Sequence, residues 1–219
     1  MKRPDRQFVG NRPNSSGFMH LQSGYWDNTI LCDRHEAALG PLDAYGTAFC
    51  RAFMDLLENG ATTAVVPNPQ PRQLVSFACA CLWRMAASRT KHHPERALGP
   101  YAKKLSESLF IGGSFEPMLL LSRHAFGATR RELLNFGALP HLYHEEGIRF
   151  WRFIVCGLIF DLKLDNRASP PAMATLAVNA QHEITLHEDF LQDPRRTPGL
   201  SSSLARLSLS KSTKRSSTT

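Results

Sequence analysis

The apolar residues change their spacing near residue 112, and this change constrains the fold more than any other feature of the chain. Before that point they recur at intervals of three and four, which is the spacing of a buried helix face. After it they form short runs rich in β-branched and aromatic residues, which is typical of strands. The sequence therefore predicts an α+β fold, in which a helical N-terminal half packs on a small, mostly antiparallel C-terminal sheet.

Three helices are expected in the first half. The first begins near Asp33 or Asp43 and ends at Asn59-Gly60, because glycine readily takes the left-handed conformation that closes a helix. The second covers residues 72–90, and the third runs from Tyr101 to Phe110. The inward stripe of the second helix consists of Leu74, Phe77, Ala78, Cys81, Leu82 and Met85.

Strands are expected mainly in the second half. A short apolar run at 118–122 suits a buried strand, and residues 148–164 predict either one long strand or a bent pair around Gly157. Residues 183–190 alternate in polarity, which predicts another strand, and 61–66 predicts a short one.

These elements predict a single folded domain with two tails. Residues 1–22 are polar with several prolines and glycines, which indicates an extended arm. The domain covers 23–193, with a helical part at 23–112 and a β-rich part at 113–193. Residues 194–219 are rich in serine, threonine and basic side chains and carry too little apolar surface to pack, so we expect a disordered basic tail.

The net charge of +7 is concentrated at the two ends of the chain. Residues 1–12 hold four basic residues and one acidic residue, and six basic residues with no acidic one follow Asp193, which leaves the body slightly negative. A nucleic-acid partner is therefore expected to bind through the termini. The tail residues proposed for this contact are Arg195, Arg196, Lys211, Lys214 and Arg215.

Composition also predicts where the protein acts. No segment approaches the roughly 18 uncharged apolar residues of a membrane span, so no membrane partner is expected. The five cysteines are an odd number, and Cys79 and Cys81 lie within an apolar helical pattern rather than in loops. Buried, reduced thiols of this kind favour a cytoplasmic location.

Cys32 and His35 form half of a structural zinc site. A tetrahedral zinc takes four Cys or His ligands, normally from two closely spaced pairs. His20 is the one other Cys or His in the first 31 residues, so Cys32, His35 and His20 are the candidate zinc ligands. The alternative is a buried Cys32 at a helix entrance with His35 on the surface. Accordingly, the sequence predicts no required cofactor, with zinc as the alternative.

A second group of metal-binding residue types is His141, His144 and Glu145. On a helical turn, residues three apart share a face and could hold a divalent cation. However, Pro140 before the group and Gly147 after it favour a solvated polar loop.

Arg84 lies within the apolar second helix and is expected to need a partner of opposite charge. Asp43, on the preceding helix, is the predicted partner in a structural ion pair. The alternative role for Arg84 is an anion-binding site.

Several segments together resemble a family of uncharacterised bacterial proteins described as HNH-endonuclease-like. They are Ser23 to Glu36, Leu42 to Tyr45, Leu82 to Arg84 with Ala87-Ser88, and Leu98 to Pro100. The family has, in order, an N-terminal Cys-x2-Cys, a His-containing segment, Leu-Cys-x2-Cys-Glu, an Asp/Glu-x-Tyr helix, a Leu-Trp-Arg-Ala helix and a Leu-Gly-Pro turn. The resemblance covers about residues 23–110.

The chain departs from that family at the positions that carry its chemistry. It lacks the opening cysteine pair and the His-containing segment, and His35 replaces the second cysteine of Leu-Cys-x2-Cys-Glu. An HNH site needs a histidine that activates water and a metal held by further side chains. We therefore expect a non-catalytic interaction protein of a bacterium, a phage or another mobile element, which binds a protein or nucleic-acid partner. The alternative is a divergent metal-dependent HNH-like nuclease.

Overall fold

The computed structural model describes eleven segments of the chain. They are residues 7–11, 18–21, 30–58, 65–66, 69–88, 98–124, 136–145, 147–155, 157–180, 184–185 and 187–189. The predicted basic tail and the predicted helix end at Asn59-Gly60 lie outside these residues.

The three predicted helices are present. They are α1 (Asp33–Glu58), α2 (Pro71–Ala87) and α3 (Tyr101–Phe110), and a short helix α4 (Pro171–Leu176) precedes a 3-10 turn at Val178–Ala180. Helix α2 starts at Pro71. The backbone N–H groups of a first helical turn have no intrahelical acceptor, and proline suits this position because it has no N–H to leave unpaired.

Within the described residues, nine strands form two sheets. The strands are β1 (Gln7–Asn11), β2 (Phe18–Leu21), β3 (Val65–Val66), β4 (Met118–His124), β5 (Phe136–Glu145), β6 (Ile148–Val155), β7 (Leu158–Lys163), β8 (Ile184–Thr185) and β9 (His187–Asp189). The larger sheet has the order β2-β1-β5-β6-β7-β4-β9, and β3 pairs with β8. Its four central strands, β5, β6, β7 and β4, are antiparallel, which confirms the α+β class.

The predicted N-terminal arm takes part in this sheet. Strand β1 pairs in parallel with β5, and β2 pairs with β1 in the antiparallel direction. The sheet therefore includes residues that precede the predicted start of the domain at residue 23.

Two hairpins of the same kind organise the central sheet. The β5–β6 and β6–β7 connections each have two residues, and the second is Gly147 (φ 77°) in one and Gly157 (φ 76°) in the other. Positive φ at this position favours glycine and suits the twist of a tight hairpin. Of the two alternatives predicted for residues 148–164, the pair of strands around Gly157 is confirmed, and the single long strand is wrong.

The interpretation of 141–146 as a solvated loop was wrong, because His141 to Glu145 belong to β5. The register of β5 against β6 shifts between Ala138 and His141, so Pro140 lies at a bulge. Proline has no N–H to donate to a ladder, and a bulge is where a sheet accommodates it.

The main core lies between the helices and one face of the sheet. Phe77 of α2 packs edge-on against Phe160 of β7 at 5.8 Å between ring centroids, and Phe160 stacks on Phe153 of β6 at 5.0 Å. Helix α2 contacts α1 and α3 as well as the sheet, so Val75 and Cys79, which lie off the predicted stripe, are also buried. The central position of α2 explains why its burial extends beyond one face.

Candidate functional site

The structure brings Cys32 and His35 together at the start of α1. The carbonyl oxygen of Cys32 accepts hydrogen bonds from the backbone N–H groups of His35 and Glu36, each at 2.9 Å, so the helix begins directly after Cys32. The spacing of three then directs both side chains to one side, and Cys32 Sγ lies 3.1 Å from His35 Nδ1. Both residues are exposed, so Cys32 is not the buried cysteine of the alternative interpretation.

An aromatic cluster supports the imidazole. The His35 ring packs edge-on against Phe110 at 4.6 Å, and Phe110 packs against Trp83 at 5.1 Å. Ile111, the next residue after α3, is 80% exposed. We call His35, Trp83, Phe110 and Ile111 the aromatic patch. It gives the Cys32–His35 pair an apolar border.

Two donor atoms do not complete a tetrahedral zinc site. In the parts of the chain that the structure describes, no group of three or more His, Cys, Asp or Glu residues could hold a metal ion. His20, the third candidate ligand, lies in β2, where it pairs with Val9 of β1, and its side chain lies outside the described residues. The donor types fit zinc, whereas two donors are fewer than the four of a tetrahedral site, and the described residues of one chain supply no others.

The alternative metal cluster is divided by the geometry of β5. His141 lies opposite Arg152 of β6, whereas His144 lies opposite Arg149. Because neighbouring residues of a strand point to opposite faces, His141 and His144 face opposite sides of the sheet. The side chain of Glu145 is not among those described. A single ion cannot bind both histidines in this strand.

Instead, His141 belongs to a row of polar residues across the sheet, in which Arg152 and Asp161 are buried. It lies opposite Arg152, which in turn lies opposite Asp161 of β7. Arg152 donates from Nε to Asp161 Oδ1 at 2.7 Å and from Nη2 to Oδ2 at 2.6 Å. The two side chains are 2% and 7% exposed. This is a two-point ion pair inside the protein.

The environment of His141 favours a neutral imidazole. Burial lowers its pKa below the ordinary value of 6.5, and the charge of Arg152 acts in the same direction. The carboxylate of Asp161 and the bond from Nδ1–H to the carbonyl oxygen of Leu139, at 3.4 Å, act in the opposite direction without reversing the shift.

Arg84 and Asp43 form the ion pair that joins α1 to α2. The guanidinium donates from Nη1 to Oδ1 at 2.8 Å and from Nη2 to Oδ2 at 2.5 Å. Partial burial acts to lower the pKa of Arg84, but the hydrogen bonds and charge of Asp43 outweigh it and raise the pKa. This geometry is that of the predicted structural ion pair. Because both outer nitrogens of the guanidinium bind Asp43, the anion-binding alternative is not supported.

A groove of about 560 Å³ lies between α3 and the segment after β7. Its charged lining includes Lys163, whose ammonium group binds the carbonyl oxygens of Asp165 (2.7 Å) and Arg167 (2.5 Å) and the carboxylate of Asp165 (2.8 Å). Burial acts to raise the pKa of Asp165, but the hydrogen bond and charge of Lys163 give a net lowering. Lys163 uses three donor contacts to hold this segment, so it serves the fold of the groove.

The two thiols of α2, Cys79 and Cys81, are poor nucleophiles. Burial raises the pKa of Cys81 to about 12 and also raises the pKa of Cys79. Both thiols are therefore protonated near neutral pH, where a thiolate would be the nucleophile.

The remaining predicted contact residues, Arg195, Arg196, Lys211, Lys214 and Arg215, lie outside the described residues. Comparison with known proteins gave no matching family model, no matching curated protein and no matching solved structure. Within the described residues, none of the helices is long and apolar enough to cross a membrane.

Proposed function

We propose that this chain is a non-catalytic interaction protein of a bacterium or its mobile elements, which binds a protein or nucleic-acid partner in the cytoplasm. The observation that carries the proposal is the separation of the candidate catalytic groups. His141 and His144 face opposite sides of β5, and the Cys32–His35 pair contributes two metal donors. The HNH-type chemistry implied by the family resemblance needs a general base and a bound metal at one point.

The charged pairs of the described region support this proposal. Asp43–Arg84 joins two helices, and Arg152–Asp161 joins two strands. A charged side chain held in such a pair is committed to structure and is poorly placed to act on a substrate.

Two regions suit a partner. The basic residues after Asp193 suit a phosphate backbone, because they carry positive charge with no acidic residue among them. The aromatic patch suits a protein surface, because Ile111 is exposed, directly follows Phe110 in the chain, and the Phe110 and Trp83 rings are only partly buried.

The nuclease alternative is tested by incubating the purified protein with labelled DNA and RNA in the presence of Mg²⁺, Mn²⁺ or Zn²⁺. We expect no cleavage. Metal-dependent cleavage that is abolished in His35→Asn would contradict the proposal and support the divergent HNH-like nuclease.

Binding is tested in the same samples by fluorescence anisotropy over a range of salt concentrations. Replacing the five tail residues with glutamine should weaken nucleic-acid binding and flatten its salt dependence, by about 0.9 in the log–log slope for each phosphate that the tail no longer neutralises. The control is Arg149→Gln, which removes an exposed positive charge on β6 and should leave the slope unchanged. An unchanged slope in the tail variant would leave protein as the expected partner class.

A further inference from the structure

We infer that the Cys32–His35 pair binds zinc between two copies of this chain, and that each copy supplies one cysteine and one histidine. This inference concerns self-association and does not rest on the proposed binding of another macromolecule. Among the described residues, the pair supplies one cysteine and one histidine, which is half the number of ligands that a tetrahedral zinc takes.

The two donor atoms are already close to the separation that chelation requires. With Zn–S near 2.3 Å and Zn–N near 2.0–2.1 Å, two tetrahedral ligands lie roughly 3.5 Å apart. Cys32 Sγ and His35 Nδ1 are 3.1 Å apart, so an ion fits between them after a small rotation of either side chain. The edge-on contact with Phe110 supports the imidazole in this orientation.

A second copy supplies the two missing ligands in the simplest way. In a two-fold symmetric dimer, the same surface of each subunit meets its own copy, so one pair becomes two. Cys2His2 is a common structural zinc site. Zinc binding displaces the thiol protons, and Zn²⁺ with two thiolates and two neutral imidazoles has no net charge. The completed site can therefore be enclosed at an interface without an unbalanced charge.

The surroundings of the pair suit such an interface. Cys32 and His35 are both exposed, which leaves the pair accessible to another molecule. Ile111 is 80% exposed and directly follows Phe110, whose ring contacts His35, and in the dimer it would contact the partner near the metal. The thiolates would also offset the partial positive charge where the two α1 helices meet at their N-termini.

The experiment uses the full chain, freed of metal with a chelator and then titrated with Zn²⁺ alone. Light scattering gives the mass, and elemental analysis after desalting gives the zinc content. We expect the mass to double and one zinc to be retained per two chains. Cobalt in place of zinc should give the visible absorption of a tetrahedral site with thiolate ligands.

Variants separate the proposed ligands from other causes of association. Cys32→Ser and His35→Asn should each abolish the zinc-dependent dimer and the cobalt spectrum, while circular dichroism shows that they remain folded. His144→Asn removes another exposed histidine and should change nothing. Ile111→Glu should raise the concentration needed for dimerisation at least tenfold.

Three results would overturn the inference. They are one zinc per chain in a monomer, a zinc-dependent dimer that survives Cys32→Ser, and no retained zinc at all. Mass, zinc content and the cobalt spectrum decide this inference, whereas cleavage and the salt dependence of partner binding decide the proposed function, so the two proposals are tested separately.

Discussion

The buried Arg152–Asp161 pair provides the sharpest test of how this sheet is stabilised. Its two charges meet through two hydrogen bonds of 2.7 and 2.6 Å on the sheet face that also carries His141. Removing one partner leaves the other charge buried without its main counter-charge, which typically costs about 3–5 kcal/mol. We expect Arg152→Met and Asp161→Leu each to lower the free energy of unfolding by that amount.

The double variant should behave differently from the sum of the two single variants. When both charges are replaced by apolar side chains, the cost of removing them from water disappears together with their attraction. Such replacements are often neutral or stabilising. We therefore expect Arg152→Met with Asp161→Leu to restore most of the stability, with a coupling energy of several kcal/mol between the two sites.

These differences in the free energy of unfolding are measured by urea denaturation, with circular dichroism as the probe. A single variant should also melt about 10 °C lower, since each kcal/mol shifts the midpoint by roughly 2–4 °C in a chain of this size. The control is Arg149→Met, which replaces an exposed arginine of the same strand and should change stability by less than about 0.5 kcal/mol. If the double variant is destabilised as much as the two single variants combined, the charges are not coupled and the reasoning fails.

Three further predictions use the same unfolding assay. A methyl group at Gly46 would overlap the ring of Phe77. Gly46→Ala should therefore lower the free energy of unfolding by about 1–3 kcal/mol, although alanine has the better helix propensity. Adding Phe77→Leu to this variant should recover part of the lost stability. Because the pKa of His141 is lowered in the folded protein, the unfolded chain binds the proton first, and stability should fall as the pH drops below about 6.5. His141→Asn should flatten this slope, and an unchanged slope contradicts the assignment. A double-mutant cycle with Asp43→Asn and Arg84→Gln should give a coupling of about 1 kcal/mol, because this pair is only partly buried; no coupling would show that the pair does not stabilise the packing of α1 on α2.

The helices were predictable because their signals are local. Helix α3 runs from Tyr101 to Phe110 in both the prediction and the structure, because Gly99-Pro100 precedes it and Gly112-Gly113 follows it. The apolar spacing of α2 also identified a buried helix, but not that neighbours on several sides bury it more broadly. Tertiary packing supplies that information, and no single segment contains it.

Strand β5 was missed because its proline was interpreted without its partner strand. Pro140 and Gly147 favour a loop when only the local sequence is considered. In the sheet, the bulge between Ala138 and His141 accommodates the proline, and Gly147 closes a two-residue hairpin. A bulge is defined by the pairing of two strands, so it cannot be predicted from the residues of one strand alone.

The sequence analysis identified the Asp43–Arg84 ion pair and missed the Arg152–Asp161 ion pair. Arg84 stood out because it interrupts an apolar helix, and its pairing with Asp43 follows from the packing of α1 on α2. A signal for Arg152 and Asp161 was present in the hairpin. If Gly157 is the second residue of a two-residue turn, Val155 pairs with Leu158, and counting back along both strands places Arg152 opposite Asp161.

The same spacing of three residues has opposite consequences at the two candidate metal sites. Cys32 and His35 share one side of a helix start, so their donor atoms meet at 3.1 Å. His141 and His144 lie in a strand, so the same spacing sends them to opposite faces of the sheet. A pair of ligand-type residues therefore becomes a metal-binding unit only through the backbone that carries it. For this reason the zinc hypothesis is confined to the start of α1, where a second chain can reach the pair.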